Sequence, residues 1–234
     1  DSTVITNEEG WLKRGLHSDL IRPHFAIMNP ELTYTLPEYQ TMSGCTDILM
    51  HTMERYFSHE MDTDLVDGMA ESLLKSVMRA AKVLLKDPKN YNARAEVLWA
   101  GSLSHNGLTG CGRAGDWACH QLEHELGGMF DVAHGAGLAA VWGSWARYVY
   151  KDDMARFAKF AVNVMGAAYD YADPGKTVLE GIEAMENFFR TIHMPVSIRE
   201  LGVELTDEQI KELAYKCTYM DQRTIGGIRK LGKE

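Results

Sequence analysis

Asp47 and His51 stand four residues apart within Gly44-Cys45-Thr46-Asp47-Ile48-Leu49-Met50-His51-Thr52-Met53-Glu54. His120 and His124 are likewise four apart within Asp116-Trp117-Ala118-Cys119-His120-Gln121-Leu122-Glu123-His124-Glu125-Leu126-Gly127. On a helix this spacing puts both members of a pair on one face, where a carboxylate and imidazoles can converge on a single ion. His134-Gly135 follows at the head of another helical stretch. A carboxylate-and-imidazole set suits a divalent first-row ion such as Fe2+, Zn2+, Co2+ or Mn2+; copper(I) or an iron–sulfur cluster calls for thiolates. The residues alone leave a plainer reading open, because an Asp–His pair at this spacing is often a surface or capping contact. HExxH is absent, since Gly128 stands where the second histidine after His124-Glu125 would be, and a zinc protease is not indicated.

Three helices must carry these groups, and from residue 38 onward the pattern is helical. Met69, Leu73, Val77 and Leu84 share one face of a long helix that Asp87-Pro88 ends. Ala93 to Asn106 reads as a further helix, and Gly127-Gly128 is expected to end the one bearing His120 and His124. Met154, Phe157, Phe160, Ala161 and Val164 form another apolar stripe, and Val178, Leu179, Ile182, Met185 and Phe189 another; plain core packing accounts for both. Thr206-Asp207-Glu208-Gln209 fits a capping box, with Leu205 and Ile210 placed as a hydrophobic staple. The first forty residues differ. Val4-Ile5-Thr6 and Phe25-Ala26-Ile27-Met28 predict two short strands, and Pro37 is placed to open a helix at its first turn. The expected class is mainly α: a helical bundle with a short β-containing N-terminal edge. Gly110-Cys111-Gly112-Arg113-Ala114-Gly115 matches the dinucleotide fingerprint GxGxxG, but a helix precedes it and no strand follows, so it reads as a connecting loop.

Acidic residues outnumber basic ones by 33 to 24 in this 234-residue chain, a net charge of −9 that argues against a broad nucleic-acid or anionic-membrane surface. No window approaches the ~18–20 apolar residues that span a bilayer. Asp1 to Asn7 has neither the basic nor the apolar region of a signal peptide. Cys45, Cys111, Cys119 and Cys217 contain no CxxC pair and read as free thiols of a reducing cytoplasm.

The run Asp116 to Tyr150, together with Gly44 to Phe57 and Leu32-Thr33-Tyr34-Thr35-Leu36-Pro37, resembles the iron-containing (group III) alcohol dehydrogenases, nearest their butanol dehydrogenase and broad-specificity aldehyde reductase branch. The resemblance covers essentially the whole chain. It implies the C-terminal helical domain of the dehydroquinate-synthase-like fold: residues 38–234 as the metal-binding catalytic domain, after residues 1–37 as a remnant of the nucleotide-binding region and linker. It implies a metal, Fe2+ or else Zn2+ or another divalent ion, held by Asp47, His51, His120 and His134. His124 would stand near the nicotinamide of NAD or NADP as a catalytic proton relay, and Val4, Lys13, Leu32 and Leu36 would wall the nucleotide site. One departure is visible: Gly143 stands where the family usually has proline.

The implied reaction is hydride transfer between a primary alcohol or aldehyde and NAD(P), by a cytoplasmic enzyme that is a homodimer at full length. The family's GGGSxxD phosphate loop and second Thr/Gly-rich loop are not found in this sequence, and the chain lacks an initiating Met. It is therefore expected to be a fragment that binds NAD(P) weakly and does not turn over alcohols alone. A glycerol dehydrogenase-like enzyme shares the architecture, but the HxxxH-x9-HG spacing after Asp116-Trp117-Ala118 favours the alcohol dehydrogenase branch. A metal hydrolase using the same ligands and a non-catalytic helical module are the remaining alternatives.

Overall fold

A computed structural model describes residues 2–234. Two strands, β1 (Ser2–Asn7) and β2 (Leu12–His17), form an antiparallel hairpin with Val4 opposite Gly15 and Thr6 opposite Lys13. Eight α-helices follow among the described residues: α1 (Glu38–Tyr56), α2 (Asp64–Lys86), α3 (Tyr91–His105), α4 (Ala118–Phe130), α5 (His134–Val149), α6 (Met154–Asn163), α7 (Pro174–Thr191) and α8 (Asp207–Cys217). α1 is central, packing on α2, α3 and α5, while α4 lies between α5, α8 and β2, and α6 pairs with α7. No helix among the described residues is long and apolar enough to cross a membrane.

The apolar stripes become the core, except that Met69 of α2 and Leu179 of α7 are exposed. Leu73, Val77 and Leu84 of α2 are buried with Leu49, Met50 and Met53 of α1. Each such buried side chain contributes about 1.5–3 kcal/mol. Phe57 stacks on Phe157 at 4.4 Å and meets Trp145 edge-on at 5.5 Å, joining the end of α1 to α5 and α6. The most heavily charged buried cluster is fully paired. Asp67, on α2, receives Arg113, Arg156 (2.6 Å) and Lys159 (2.7 Å), so one carboxylate gathers three cations from two later segments. The capping box at Thr206 is complete, with Gln209 N–H donating to the Thr206 hydroxyl (3.2 Å) and the Thr206 N–H to the Gln209 amide oxygen (2.9 Å). All four cysteines are unbridged.

Three sequence expectations are corrected. Residues 25–28 form no strand; the second strand is Leu12–His17, because the turn around Gly10 (φ 84°) folds β2 back onto β1, while Phe25 and Ile27 are 79% and 83% exposed with no strand beside them. Pro37 caps α1 from one residue outside it and does not occupy its first turn. Gly127-Gly128 does not end α4, which continues to Phe130 and stops at Asp131 in left-handed conformation (φ 50°). These glycines serve close approach: a Cβ at Gly128 would lie 2.7 Å from the Trp11 carbonyl oxygen, so their bareness lets the hairpin lie across α4. Gly135 does the same for α5, where a Cβ would run into the Ser43 backbone of α1. Gly110 to Gly115 is a loop after α3, as its sequence context predicts.

Candidate metal centre

α1 presents Asp47, His51 and Glu54 at i, i+4 and i+7, one stripe along its length. α4 crosses that stripe with His120, Glu123 and His124, and α5 begins at His134. Asp47 Oδ1 is the meeting point: it lies 3.6 Å from His51 Nε2, 3.6 Å from His120 Nε2 and 3.4 Å from His134 Nε2.

The opposite edges of two of these rings face carboxylates. Buried Glu54 accepts from the His120 backbone N–H (2.9 Å) and from His120 Nδ1–H (3.1 Å). Glu123, fully buried, accepts from His134 Nδ1–H, and Lys13 of β2 donates to the same carboxylate (3.1 Å). A proton held on each Nδ1 leaves each Nε2 with a lone pair aimed at Asp47. His51 is braced differently: Arg55 Nη1 lies 3.4 Å from its Nδ1 and donates to its carbonyl at 2.8 Å. For His51 Nε2 to act as a donor its proton must move to Nδ1, with Arg55 keeping only the carbonyl.

Oxygen and nitrogen lone pairs at this spacing repel unless a cation stands among them. Asp47 Oδ1 and His120 Nε2 are buried without a hydrogen-bond partner. Metal–ligand bonds of about 2.1 Å in a tetrahedron put neighbouring donors roughly 3.4 Å apart, close to the 3.4–3.6 Å separations of Asp47 from the three histidines. Donor atoms of Asp47, His120 and His134 lie within 4.8 Å of one another, and His51 adds its nitrogen against the same Asp47 oxygen, a set that fits a divalent ion.

The charges agree. Burial would raise the Asp47 carboxyl, but the imidazoles of His105, His120, His51 and His134 gathered around it hold it well below the usual carboxylate range. Burial would depress His120, yet Asp47 and Glu54 overcome it and lift the imidazole to about 9, so in the ion-free chain a proton occupies the place of a cation. Burial and neighbouring His120 press His51 down to about 2 despite Asp47. Burial likewise lowers His124 to about 4; its ring centroid lies 5.7 Å from that of His134, off the Asp47 cluster.

The residues expected to wall a nucleotide are spread over two segments. Val4 and Lys13 are on the hairpin, where Lys13 is ion-paired to Glu123 with its Nζ 3.5 Å from His134 Nδ1. Leu32 and Leu36 lie just before α1 and are exposed; Leu36 lines a cavity of about 340 Å³ with Gly44, Ile48 and His105. Gly143 sits where any Cβ would meet the Glu186 carboxylate, itself paired to Arg147.

Several contributors carry no sequence signal of their own. Glu54 shares the stripe of Asp47 and His51, but its partner is 66 residues away. Asp116, in the Asp-Trp-Ala run, fixes the start of α4: its carboxylate accepts from the N–H of Ala118 (3.0 Å), Gly227 (2.7 Å) and Ile228 (2.8 Å), and its own N–H donates to the Glu54 carbonyl (2.7 Å). Trp117 follows in left-handed conformation (φ 66°) under the Arg55 guanidinium.

Residues 41–234 match the family model described as Fe-containing alcohol dehydrogenase family, C-terminal. The chain is 34% identical to NADH-dependent butanol dehydrogenase A of Clostridium acetobutylicum over 99% of its own length and 59% of the relative's. It is 32% identical to the NADPH-dependent aldehyde reductase of Escherichia coli, over 86% of this chain and 51% of that protein. The crystal structure of NADH-dependent butanol dehydrogenase A from Thermotoga maritima superposes with a TM-score of 0.92 at 32% identity, covering 99% of this chain and 59% of that one. The chain thus spans under two thirds of the length of these relatives.

Proposed function

Because the chain belongs to the Fe-containing alcohol dehydrogenase family, we propose that it supplies the metal centre of an NAD(P)-dependent alcohol dehydrogenase or aldehyde reductase acting on primary alcohols and aldehydes of the butanol–butanal kind. Asp47, His51, His120 and His134 hold the ion. The observation that carries this reading is the convergence of three imidazole nitrogens on Asp47 Oδ1 at 3.4–3.6 Å, two of them turned inward by carboxylates on their far edges.

When bound, a divalent ion supplies Lewis acidity to the alcohol or aldehyde oxygen, and the nicotinamide accepts or gives the hydride. The chain's own residues do the rest. Glu54 and Glu123 keep the protons of His120 and His134 on Nδ1, and Lys13 neutralises the buried Glu123 charge. His124, uncharged at neutral pH, is free to take up the proton an alcohol releases and to return it in the reductive direction. Val4, Lys13, Leu32 and Leu36 form the wall against which the nucleotide lies; on this reading Lys13 puts that wall within reach of His134.

The test is metal analysis of the protein purified anaerobically, alongside Asp47→Ala and His120→Ala. We expect close to one divalent ion per chain, lost in both variants, with butanal reduction by the intact enzyme lost in parallel. Full metal content in His120→Ala would overturn the ligand assignment.

A further inference from the structure

One more imidazole reaches Asp47. His105, the last residue of α3, places Nε2 3.5 Å from Asp47 Oδ2, on the carboxylate oxygen that the other three histidines leave free. Its ring lies against that of His51, tilted by 39° with centroids 3.8 Å apart. Donor atoms of Asp47, His51 and His105 all lie within 4.8 Å of one another, as do those of Asp47, His120 and His134, so two donor clusters share one carboxylate.

The proton of His105 is located by its contacts. Nδ1 lies 2.9 Å from the Gly101 carbonyl oxygen, which can only accept, and 2.6 Å from the Ser104 hydroxyl oxygen; that hydroxyl donates to the same carbonyl at 3.0 Å. A proton on Nδ1 satisfies every one of these contacts. Nε2 then carries a lone pair toward Asp47 Oδ2 and cannot donate to it, so the pair requires a cation, as His120 and His134 do. The carbonyl at the far edge of His105 plays the part that carboxylates play for the other two rings.

We propose that His105 is a further nitrogen donor to the ion held at Asp47, approaching it from the Oδ2 side. This rests on the metal-centre reading above and adds a ligand outside the set implied by the sequence.

Cobalt(II) tests it, because its visible d–d bands report coordination independently of turnover. Ion-free wild-type protein and His105→Leu are titrated with Co2+ against a competing chelator. We expect wild-type binding of one Co2+, with His105→Leu about tenfold to a hundredfold weaker and its d–d bands altered in position and intensity. His105 is 40% exposed on its side chain at a helix end, so the ion-free melting temperature of the variant should match wild type; if the variant does not fold, His105→Gln is read in its place. Unchanged affinity and bands would overturn the role of His105 while leaving the centre intact. Weaker binding with unchanged bands would also overturn it, since His105 would then act only through Asp47. Failure of the wild type to bind Co2+ would overturn both readings.

Discussion

Glu54→Gln isolates what a buried carboxylate does for an imidazole it never shares with solvent. Glu54 is buried and accepts two hydrogen bonds from His120, one from the backbone N–H (2.9 Å) and one from Nδ1–H (3.1 Å). Glutamine keeps an acceptor in the same place but removes the charge. A hydrogen bond to a charged group is worth about 1.5–3 kcal/mol against about 0.5–1.5 for a neutral pair, so the substitution weakens the hold on His120 by roughly 1–1.5 kcal/mol. At about 1.4 kcal/mol per tenfold, metal affinity should fall about fivefold to tenfold. Glu54→Ala strips both acceptors, leaves a buried N–H unpaired, and should weaken metal binding about 10–100-fold while also lowering ion-free stability by about 1–3 kcal/mol. The assay is competition for Zn2+ or Co2+ with a chromophoric chelator, paired with thermal melts of the ion-free proteins. Equal metal affinity for wild type and both variants would refute the idea that Glu54 orients His120 as a donor.

The ion-free chain should lose thermal stability as pH rises from about 6.5 through 9. His120, lifted to about 9, contributes stability fully below its ordinary value of 6.5 and surrenders it as the folded form deprotonates. His51 and His124, held down to about 2 and about 4, act in the opposite sense below pH 6.5, so melting curves should peak near that pH and a flat profile above it would count against the His120 assignment. Uptake of a divalent ion at pH 7 should release about one proton, read by calorimetry in buffers of different ionisation enthalpy. His124→Ala should keep its metal and lose turnover with an altered pH profile; metal loss would make His124 a ligand. Gly135→Ala, forced against the Ser43 backbone, should cost about 1–3 kcal/mol and weaken metal binding through His134, whereas an unchanged melt and affinity would show that α5 yields freely. Asp67→Ala, stranding Arg113 and Arg156 in the interior, should cost about 3–5 kcal/mol, visible as a melting point about 6–20 °C lower.

The helices were legible because burial imposes a period on them: the α2, α6 and α7 stripes, the Asp87-Pro88 stop and the Thr206 capping box are all local signals. The hairpin was not, since Leu12–His17 (LKRGLH) has no apolar alternation and is held by pairing to β1 and by contact with α4. Gly127-Gly128 misled for a related reason: a glycine pair signals a helix end when considered alone, but here it answers the backbone of Trp11 more than a hundred residues earlier. Within the candidate centre, the i,i+4 pairs revealed Asp47, His51, His120 and His124 because their spacing is itself the signal. Glu54 and Glu123 offered nothing comparable, being ordinary helical glutamates until a histidine from another segment meets them. His105 stands alone at the end of α3, and only the crossing of α1 and α3 gives it a neighbour.

The Asp116 carboxylate sets the order in which this protein can be completed. It turns the chain into α4, yet two of the N–H groups it accepts belong to Gly227 and Ile228, 111 and 112 residues further along. A ribosome adding about 5–20 residues per second needs roughly 6–22 s to supply them. During that interval α1 and the sequence of α4 have already been made, but the turn that brings His120 against Glu54 is missing its last anchors. The cluster around Asp47 is therefore finished from the far end of the chain, and a nascent chain stalled before Gly227 should hold its histidines without the geometry that gives them a common target.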